Sequence, residues 1–195
     1  MKLNALEFAL MNNLIRAMSQ RYLETPLLIG PPWVLSGKQV LEVGCGRGVG
    51  IEILLARGAA SVAGFDLDPE MVVLAQQRLA KYGSRARVFV GDAAMIAASD
   101  ASFDAVVDYG IIHHIPSWPQ ALHEIARVLR PGGDFYFEDL FKGFISAWPI
   151  RTLFDHPQAT QFTGQEFRAG LEAAGLCMQV WRELDGWGVM GRADK

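Results

Sequence analysis

The chain of 195 residues is poor in cysteine, which limits the chemistry that it can carry. Its two cysteines, Cys45 and Cys177, form neither a CxxC pair nor a cluster with histidine. Neither a disulfide framework nor a cysteine-based metal site can be inferred from such a pattern. We therefore predict no metal, and we expect a reducing compartment, the cytoplasm.

An excess of positive charge is also lacking, since 18 Lys and Arg stand against 21 Asp and Glu, for a net charge of −3. Attraction to a phosphate backbone or an anionic membrane normally needs clustered basic residues, so we expect no nucleic-acid partner. No apolar run approaches the roughly 18 residues that a spanning helix requires, and we predict no transmembrane segment. Nothing in the sequence fixes the oligomeric state.

From Gln39 onward, short apolar runs alternate with segments of helical period. This alternation predicts an α/β fold with a doubly wound, mostly parallel, Rossmann-like sheet and helices on both faces. Asp185-Gly186 joins two last β-like runs and is a favoured hairpin signal, so the sheet should have seven strands and end in an antiparallel pair. The five preceding strands are predicted at residues 39–43, 61–65, 87–91, 103–110 and 134–140.

A chain of this length predicts a single domain. We divide it into an N-terminal helical cap (1–37), a core (38–140), a connector or lid (141–162), and a last helix with the hairpin (163–195). The cap opens with apolar residues at the spacing of one helix face: Leu3, Leu6, Leu10, Leu14, Ile15 and Met18.

Helix ends in the core and C-terminal part are predicted from capping signals. Asp68 is expected to cap the helix that begins at Pro69. Ser117 with Gln120, and Thr163 with Glu166, have the spacing of capping boxes. The helix after Ser117 is expected to run through Leu129 and to end at the RPGG segment, residues 130–133.

A glycine-rich turn follows the first predicted strand in the segment VLEVGCGRG, residues 40–48. Glycines let a ligand contact the backbone, and the N–H groups at the start of the next helix add polar anchors. A dinucleotide fingerprint GxGxxG would need glycine at position 49, where Val49 stands; the pattern is GxGxG. This counts against an NAD-dependent dehydrogenase, which we keep as a less favoured alternative.

Acidic residues follow two further strands. Asp66 closes the second strand about 20 residues after Gly44, where a carboxylate can accept both hydroxyls of a ribose. Asp92 follows the third strand and would lie at the same edge of the sheet. It is predicted either to accept a hydrogen bond from an adenine amino group or to serve as a turn residue.

With these features, residues 38–140 resemble the class I S-adenosylmethionine-dependent methyltransferases, of the small-molecule type with a His-His segment after strand four. The matching stretches are VLEVGCGRG, VAGFDLDPEMV, FVGDAA, FDAVVDYGIIHHIPSW and EIARVLRPGG. The resemblance implies S-adenosylmethionine as cofactor and S-adenosylhomocysteine as product. The cofactor-binding residues it implies are Glu42, Gly44, Cys45, Gly46, Gly48, Asp66, Leu67, Asp92, Ala93 and Asp108.

The resemblance also implies a role for each part of this set. The three turn glycines would wrap the methionine portion and ribose, and Glu42 would hold the turn and the ammonium end. Asp66 would bind the ribose hydroxyls, and Asp92 with the Ala93 N–H would recognise adenine. Asp108 would face the methionine amino group.

Methyl transfer needs mainly an acceptor held in line with the sulfonium, with water excluded. Candidates for proton removal are His113, His114 and His156, because neutral imidazole is available near pH 7. We favour His113, which lies just beyond strand four; its alternative is a structural role. Tyr109 is predicted to offer its aromatic face to the sulfonium, or simply to pack.

The acceptor is expected to be a small molecule. The segment DYGIIHHIP lacks the Asn-Pro-Pro-Tyr pattern of nucleobase and glutamine N-methyltransferases, and two cysteines do not support the multi-cysteine mechanism of arsenic methyltransferases. An alternative is a catalytically silent domain that binds the cofactor as a sensor or interaction module. Aromatic residues outside the core would either roof the acceptor or pack internally: Tyr22, Trp33, Phe141, Phe144, Trp148, Phe154 and Phe162.

Overall fold

A computed structural model describes residues 13–148 and 161–195, which form a seven-stranded sheet with helices on both faces. The strand order is β3-β2-β1-β4-β5-β7-β6, in which β1 to β5 are parallel and β7 is antiparallel to both β5 and β6. This confirms the predicted fold class. The strands are β1 Gln39–Val43, β2 Ser61–Asp66, β3 Ala86–Val90, β4 Phe103–Tyr109, β5 Leu129–Leu140, β6 Cys177–Leu184 and β7 Gly188–Asp194.

Seven α-helical segments lie in the described residues: α1 Leu14–Ser19, α2 Thr25–Ile29, α3 Val49–Ala56, α4 Pro69–Leu79, α5 Trp118–Val128, α6 Lys142–Ile145 and α7 Gly164–Ala173. A five-residue π-helical turn, Gln20–Glu24, joins α1 to α2. Three 3₁₀ turns complete the set, at Pro32–Leu35, Ala80–Arg85 and Ile112–His114. No helix in the described part of the chain has both the length and the apolar character needed to cross a bilayer.

The sheet separates two apolar cores, because a mostly parallel sheet must be covered on both faces. Helices α2, α3 and α4 contribute to one core, and α5 and α7 to the other. Alternation along each strand sends successive side chains to opposite faces. On β5, Tyr136 accordingly lies in the first core, and Phe135 and Phe137 in the second.

Two predicted helix caps are present and one is not. Asp68 accepts a hydrogen bond from the Glu70 N–H at 2.9 Å, and Thr163 and Glu166 form a reciprocal capping box. Ser117 stands at the N-terminus of α5, but its side chain caps nothing. Its backbone, with φ of −99° and ψ of 43°, lies outside the extended conformation that directs a capping side chain to the third N–H of a helix, so the predicted box with Gln120 was wrong.

The RPGG segment belongs to β5 rather than to a separate turn between helix and strand. Leu129 pairs with Phe103 and Asp134 pairs with Ala105, so the intervening residues bulge from the ladder. The bulge is tied to the end of the chain, because Gly132 donates to the Lys195 carbonyl at 2.8 Å and Lys195 donates to the Gly133 carbonyl at 3.1 Å. The predicted start of the strand at 134 was therefore five residues late.

The N-terminal segment contacts the sheet through other residues than its predicted apolar face. Leu3, Leu6 and Leu10 lie outside the described residues, and Leu14, Ile15 and Met18 are at least half exposed. Instead, Thr25, Leu28 and Ile29 are buried.

Candidate active site

The glycine turn after β1 has a left-handed backbone at all three glycines, with φ of +64° at Gly44, +49° at Gly46 and +80° at Gly48. A Cβ on Gly44 would lie 2.7 Å from the Ile111 side chain, and one on Gly48 would lie 2.9 Å from Leu79. Around a Cβ on Gly46 nothing lies within 4 Å. Two glycines are thus needed for packing, whereas Gly46 borders open space that a ligand can occupy.

Asp66, at the end of β2, fastens this turn. Its Oδ2 accepts the Gly46 N–H at 2.8 Å, and its Oδ1 accepts the Asp68 N–H at 2.9 Å. Burial raises the pKa of this carboxyl, and the two N–H donors oppose that rise. Each oxygen keeps a further lone pair, so the carboxylate can still accept hydroxyls of a ligand.

Glu42 lies on β1 and is buried beneath the turn, where its Oε2 accepts no hydrogen bond from a described residue. Burial raises the pKa of this carboxyl well above its usual value, and Asp66 and Asp108 raise it further by repulsion. A Cβ on Gly50 would overlap the carboxylate, so a glycine is required at this point of α3. Gly50 was not among the residues predicted from the sequence, although a further glycine near the start of the helix was a visible signal.

Asp108, Asp139 and His113 form a buried group where β4 and β5 end. Asp108 accepts the Ile111 N–H at 3.0 Å. Asp139 accepts the His113 N–H at 3.3 Å and the Leu140 N–H at 2.7 Å, and it also contacts Nδ1 of His113. Burial raises the pKa of Asp139 to about 8. Burial and repulsion from Asp139 raise the pKa of Asp108 well above its usual value.

The burial of His113 bears on its predicted catalytic role. Its side chain is 3% exposed, and its contact with Asp139 fixes the turn after β4 against β5. The His114 ring lies beside it, with ring centroids 4.1 Å apart and the ring planes tilted by 39°. Sequence reasoning did not select Asp139, although an acidic residue near the end of a buried strand could have been noticed. His156 lies outside the described residues.

Tyr109 ends β4 on the opposite face, where it is buried. Its hydroxyl lies 2.9 Å from Thr25 Oγ1, which itself donates to the Gln20 carbonyl at 2.7 Å. The Tyr109 hydroxyl is therefore the donor to Thr25. Burial, followed by the charge of Glu42, raises the pKa of Tyr109, so the phenol stays protonated. Tyr109 thus fastens the N-terminal segment to the sheet.

The remaining predicted cofactor residues flank the same edge of the sheet. Asp92 is exposed and accepts the Ala94 N–H at 2.9 Å. This hydrogen bond is typical of a turn residue, the alternative that the sequence offered to adenine recognition. Ala93 beside it is buried. Leu67, next to Asp66, exposes more than half of its side chain. Cys45 is buried, and its N–H donates to the Phe65 carbonyl at 2.9 Å.

The aromatic residues proposed as a roof divide into two groups. Phe141 and Phe162 are fully buried in the core with α5 and α7 and are unavailable as a roof. Tyr22, Trp33 and Trp148 are more than two thirds exposed. Phe144 packs on Trp187 with ring centroids 5.5 Å apart, and Phe154 lies outside the described residues.

The arrangement defines a class of protein. A glycine turn, an acidic residue ending the neighbouring strand, and further carboxyl groups all meet at the carboxyl edge of a doubly wound sheet, where such folds bind nucleotide-containing ligands. Residues 40–133 match the family described as a methyltransferase domain. Residues 40–133 therefore carry a methyltransferase domain on a Rossmann-like fold, and the 3₁₀ turn that contains His113 and His114 follows β4.

Solved structures support the fold. The PH0226 protein of Pyrococcus horikoshii OT3 superimposes with a TM-score of 0.76 at 19% identity, covering 94% of this chain and 93% of that one. An S-adenosylmethionine-dependent methyltransferase from Mesorhizobium loti gives a TM-score of 0.70 at 15% identity, covering 83% and 92%.

Relatives of known name share the central part of the sequence. The phthiotriol/phenolphthiotriol dimycocerosates methyltransferase of Mycobacterium leprae (strain TN) is 43% identical over 108 residues, which are 54% of this chain and 39% of that protein. An arsenite methyltransferase of Aquipseudomonas alcaligenes is 33% identical over 120 residues, 56% of this chain and 35% of that protein. The chain spans less than half the length of these relatives.

Proposed function

We propose that this domain transfers a methyl group from S-adenosylmethionine to a small-molecule acceptor. The observation that carries the proposal is the turn after β1, where Gly46 borders open space and its N–H is held by Asp66. Beneath it, the buried Glu42 retains an oxygen without a hydrogen-bond partner among the described residues. A buried carboxyl oxygen without a partner suits a ligand with an ammonium group, because that positive charge would favour the anionic form of Glu42.

The predicted binding residues fit this cofactor part by part. Gly44, Gly46 and Gly48 would hold its methionine portion and ribose, and Asp66 would accept the ribose hydroxyls. Glu42 and Asp108 would face the ammonium end. Asp92 and the Ala93 N–H would recognise adenine, and Cys45 and Leu67 complete the predicted set.

The bound cofactor supplies an activated methyl group and a good leaving group. The tasks left to the chain are to hold the acceptor in line and to keep water out. Tyr109 would contribute to the wall on the α2 side, because its hydroxyl keeps the N-terminal segment in place. Proton removal by His113 stays a prediction, and its 3% exposure favours the alternative, a structural role with Asp139.

The class of the methyl acceptor is proposed from two relatives and from the positions of the two cysteines. The names of two relatives point to phthiotriol dimycocerosates and to arsenite, which are both small molecules compared with a protein or a nucleic acid. Arsenite is the less suitable of the two for this chain. Cys45 lies at the carboxyl edge of the sheet, and Cys177 pairs with Asp194 at the opposite edge, so the two thiols cannot act together.

A screen of small phenols, alcohols, amines and acids with tritiated cofactor tests the proposal. We expect label in one acceptor class, and we expect it to be lost when Gly46 is replaced by alanine. A silent sensor domain would instead bind the cofactor by calorimetry and label nothing. The dehydrogenase alternative is set aside by the family match over residues 40–133. A cytoplasmic location and the lack of a nucleic-acid partner stay predictions from composition.

A further inference from the structure

Glu138 is a carboxyl group at the carboxyl edge of the sheet that the functions above leave unassigned. It lies near the end of β5, where its register partner on β4 is Tyr109. Val43, the last residue of β1, pairs with Asp108 on β4. Neighbouring strands are about 4.8 Å apart, so the backbone of Glu138 lies roughly 10 Å along the edge from the glycine turn. A methyl acceptor placed beside the cofactor would occupy this interval.

Glu138 meets the N-terminal segment in a mixed ionic group. Arg16 on α1 lies 3.9 Å from the Glu138 carboxylate and also contacts Glu24. Ser19 donates to Glu24 at 2.8 Å. One guanidinium thus serves two carboxylates, and all three side chains are less than one quarter exposed.

The π-helical turn Gln20–Glu24 places Glu24 in this group. Such turns are rare, and they occur frequently at functional sites. Two hydrogen bonds of the Thr25 hydroxyl stabilise the turn, since it donates to the Gln20 carbonyl and accepts from the Tyr109 hydroxyl. Tyr109 is the register partner of Glu138. The irregular helix and the end of the sheet therefore meet at one point, which borders Glu138.

We propose that Glu138 is the proton acceptor for methyl transfer. This role rests on the proposed function. A lone pair on the methyl-accepting atom of the substrate forms the new bond to the methyl carbon. At the same time the carbon–sulfur bond breaks, and its electron pair stays on sulfur. The proton on the methyl-accepting atom of the substrate passes to the Glu138 carboxylate and from there to water. Glu138 is 15% exposed, whereas His113 is 3% exposed, so Glu138 is the more accessible of the two to an acceptor and to solvent.

The surroundings of Glu138 adapt it to this task. Burial, followed by repulsion from Glu24, raises the pKa of Glu138 to about 8, and Arg16 opposes the rise. A base is most effective when its pKa lies near the working pH. The other groups around it are Tyr109 and Asp108 on β4 and its register partner on β7, the uncharged Met190.

Three variants test the assignment: Glu138→Gln, Glu24→Gln and Arg16→Gln. In carbon-13 carboxyl spectra, the resonance missing from E138Q identifies Glu138. We expect it to titrate near pH 8 in the unchanged protein, at lower pH in E24Q because the repulsion is gone, and at higher pH in R16Q because the cation is gone. The pH at which methyl transfer is half-maximal should move in the same two directions. A purely structural ion pair would not move it.

The E138Q variant should bind S-adenosylmethionine within about twofold of the unchanged protein, yet transfer methyl groups about 100-fold more slowly or worse. Calorimetry and a melting curve confirm that the variant is folded and loaded. A Glu138 that titrates in the ordinary range of a glutamate, or an E138Q protein as active as the original, overturns this role alone. An original protein that binds the cofactor and methylates nothing overturns the proposed function and this role with it.

Discussion

Replacing Asp66 by asparagine is the most direct test of the cofactor site. The carboxylate accepts two backbone N–H groups, from Gly46 at 2.8 Å and Asp68 at 2.9 Å. In asparagine, one of the two acceptors becomes an NH₂ group that faces a donor. A hydrogen bond to a charged group contributes about 1.5–3 kcal/mol, and the bonds to ribose would also lose their charge assistance.

Together these losses predict that D66N weakens binding of both S-adenosylmethionine and S-adenosylhomocysteine by about 2–4 kcal/mol, or roughly 30- to 1000-fold in Kd. Isothermal calorimetry measures both affinities. Asp68→Asn is the matched control, since it is the same chemical change two residues away. Asp68 caps α4, and asparagine caps a helix about as well as aspartate, so its affinity should stay within about twofold. A folded D66N protein with the affinity of the D68N control would refute the assignment of Asp66.

Three further predictions concern ligand binding and stability. Gly46→Ala and Gly175→Ala should each lower the free energy of unfolding by about 1–2 kcal/mol, because both glycines have positive φ and open surroundings. Only G46A should also lose affinity for the cofactor, which calorimetry would measure. S-adenosylhomocysteine at 100 times its Kd should add about 2.7 kcal/mol and raise the Tm by roughly 5–10 °C; an unchanged melting curve at millimolar ligand contradicts the binding site. The free energy of unfolding, measured in urea, should fall as pH rises from about 4 to about 8. The reason is that the folded-state pKa values of Glu138 and Asp139 are raised, so the folded chain binds more protons than the unfolded chain across that range. A flat or rising profile would contradict those raised pKa values.

Features set by neighbouring residues could be predicted from the sequence. The strands of the core, the hairpin and the capping box at Thr163 depend on local patterns, and the structure has each of them. The hairpin loop was predicted as the two residues Asp185-Gly186, and it also includes Trp187, because β6 ends at Leu184 and β7 begins at Gly188. The glycine turn and Asp66 also came from spacing along one strand-turn-helix unit, and the structure joins them by a hydrogen bond.

Features set by distant parts of the chain could not be predicted in this way. The bulge at RPGG depends on hydrogen bonds to Lys195, and the requirement for glycine at position 50 depends on the side chain of Glu42 on the preceding strand. The meeting of Glu24 with Glu138 depends on a π-helical turn, for which the sequence offers no simple period. The full burial of Phe141 and Phe162 likewise depends on distant partners, since Phe162 stacks on Phe167 of α7 and Phe141 packs on Phe162.

The concentration of acidic groups at one edge of the sheet has a consequence for turnover. Glu42, Asp66 and Asp108 repel one another there, and each is buried enough that its pKa is raised. A ligand with an extra positive charge relieves this repulsion, and the methyl donor has one such charge more than its demethylated form. Both forms share the ammonium group that Glu42 and Asp108 would face, so both should release protons on binding, the donor more than its demethylated form, and part of that release should reverse at methyl transfer.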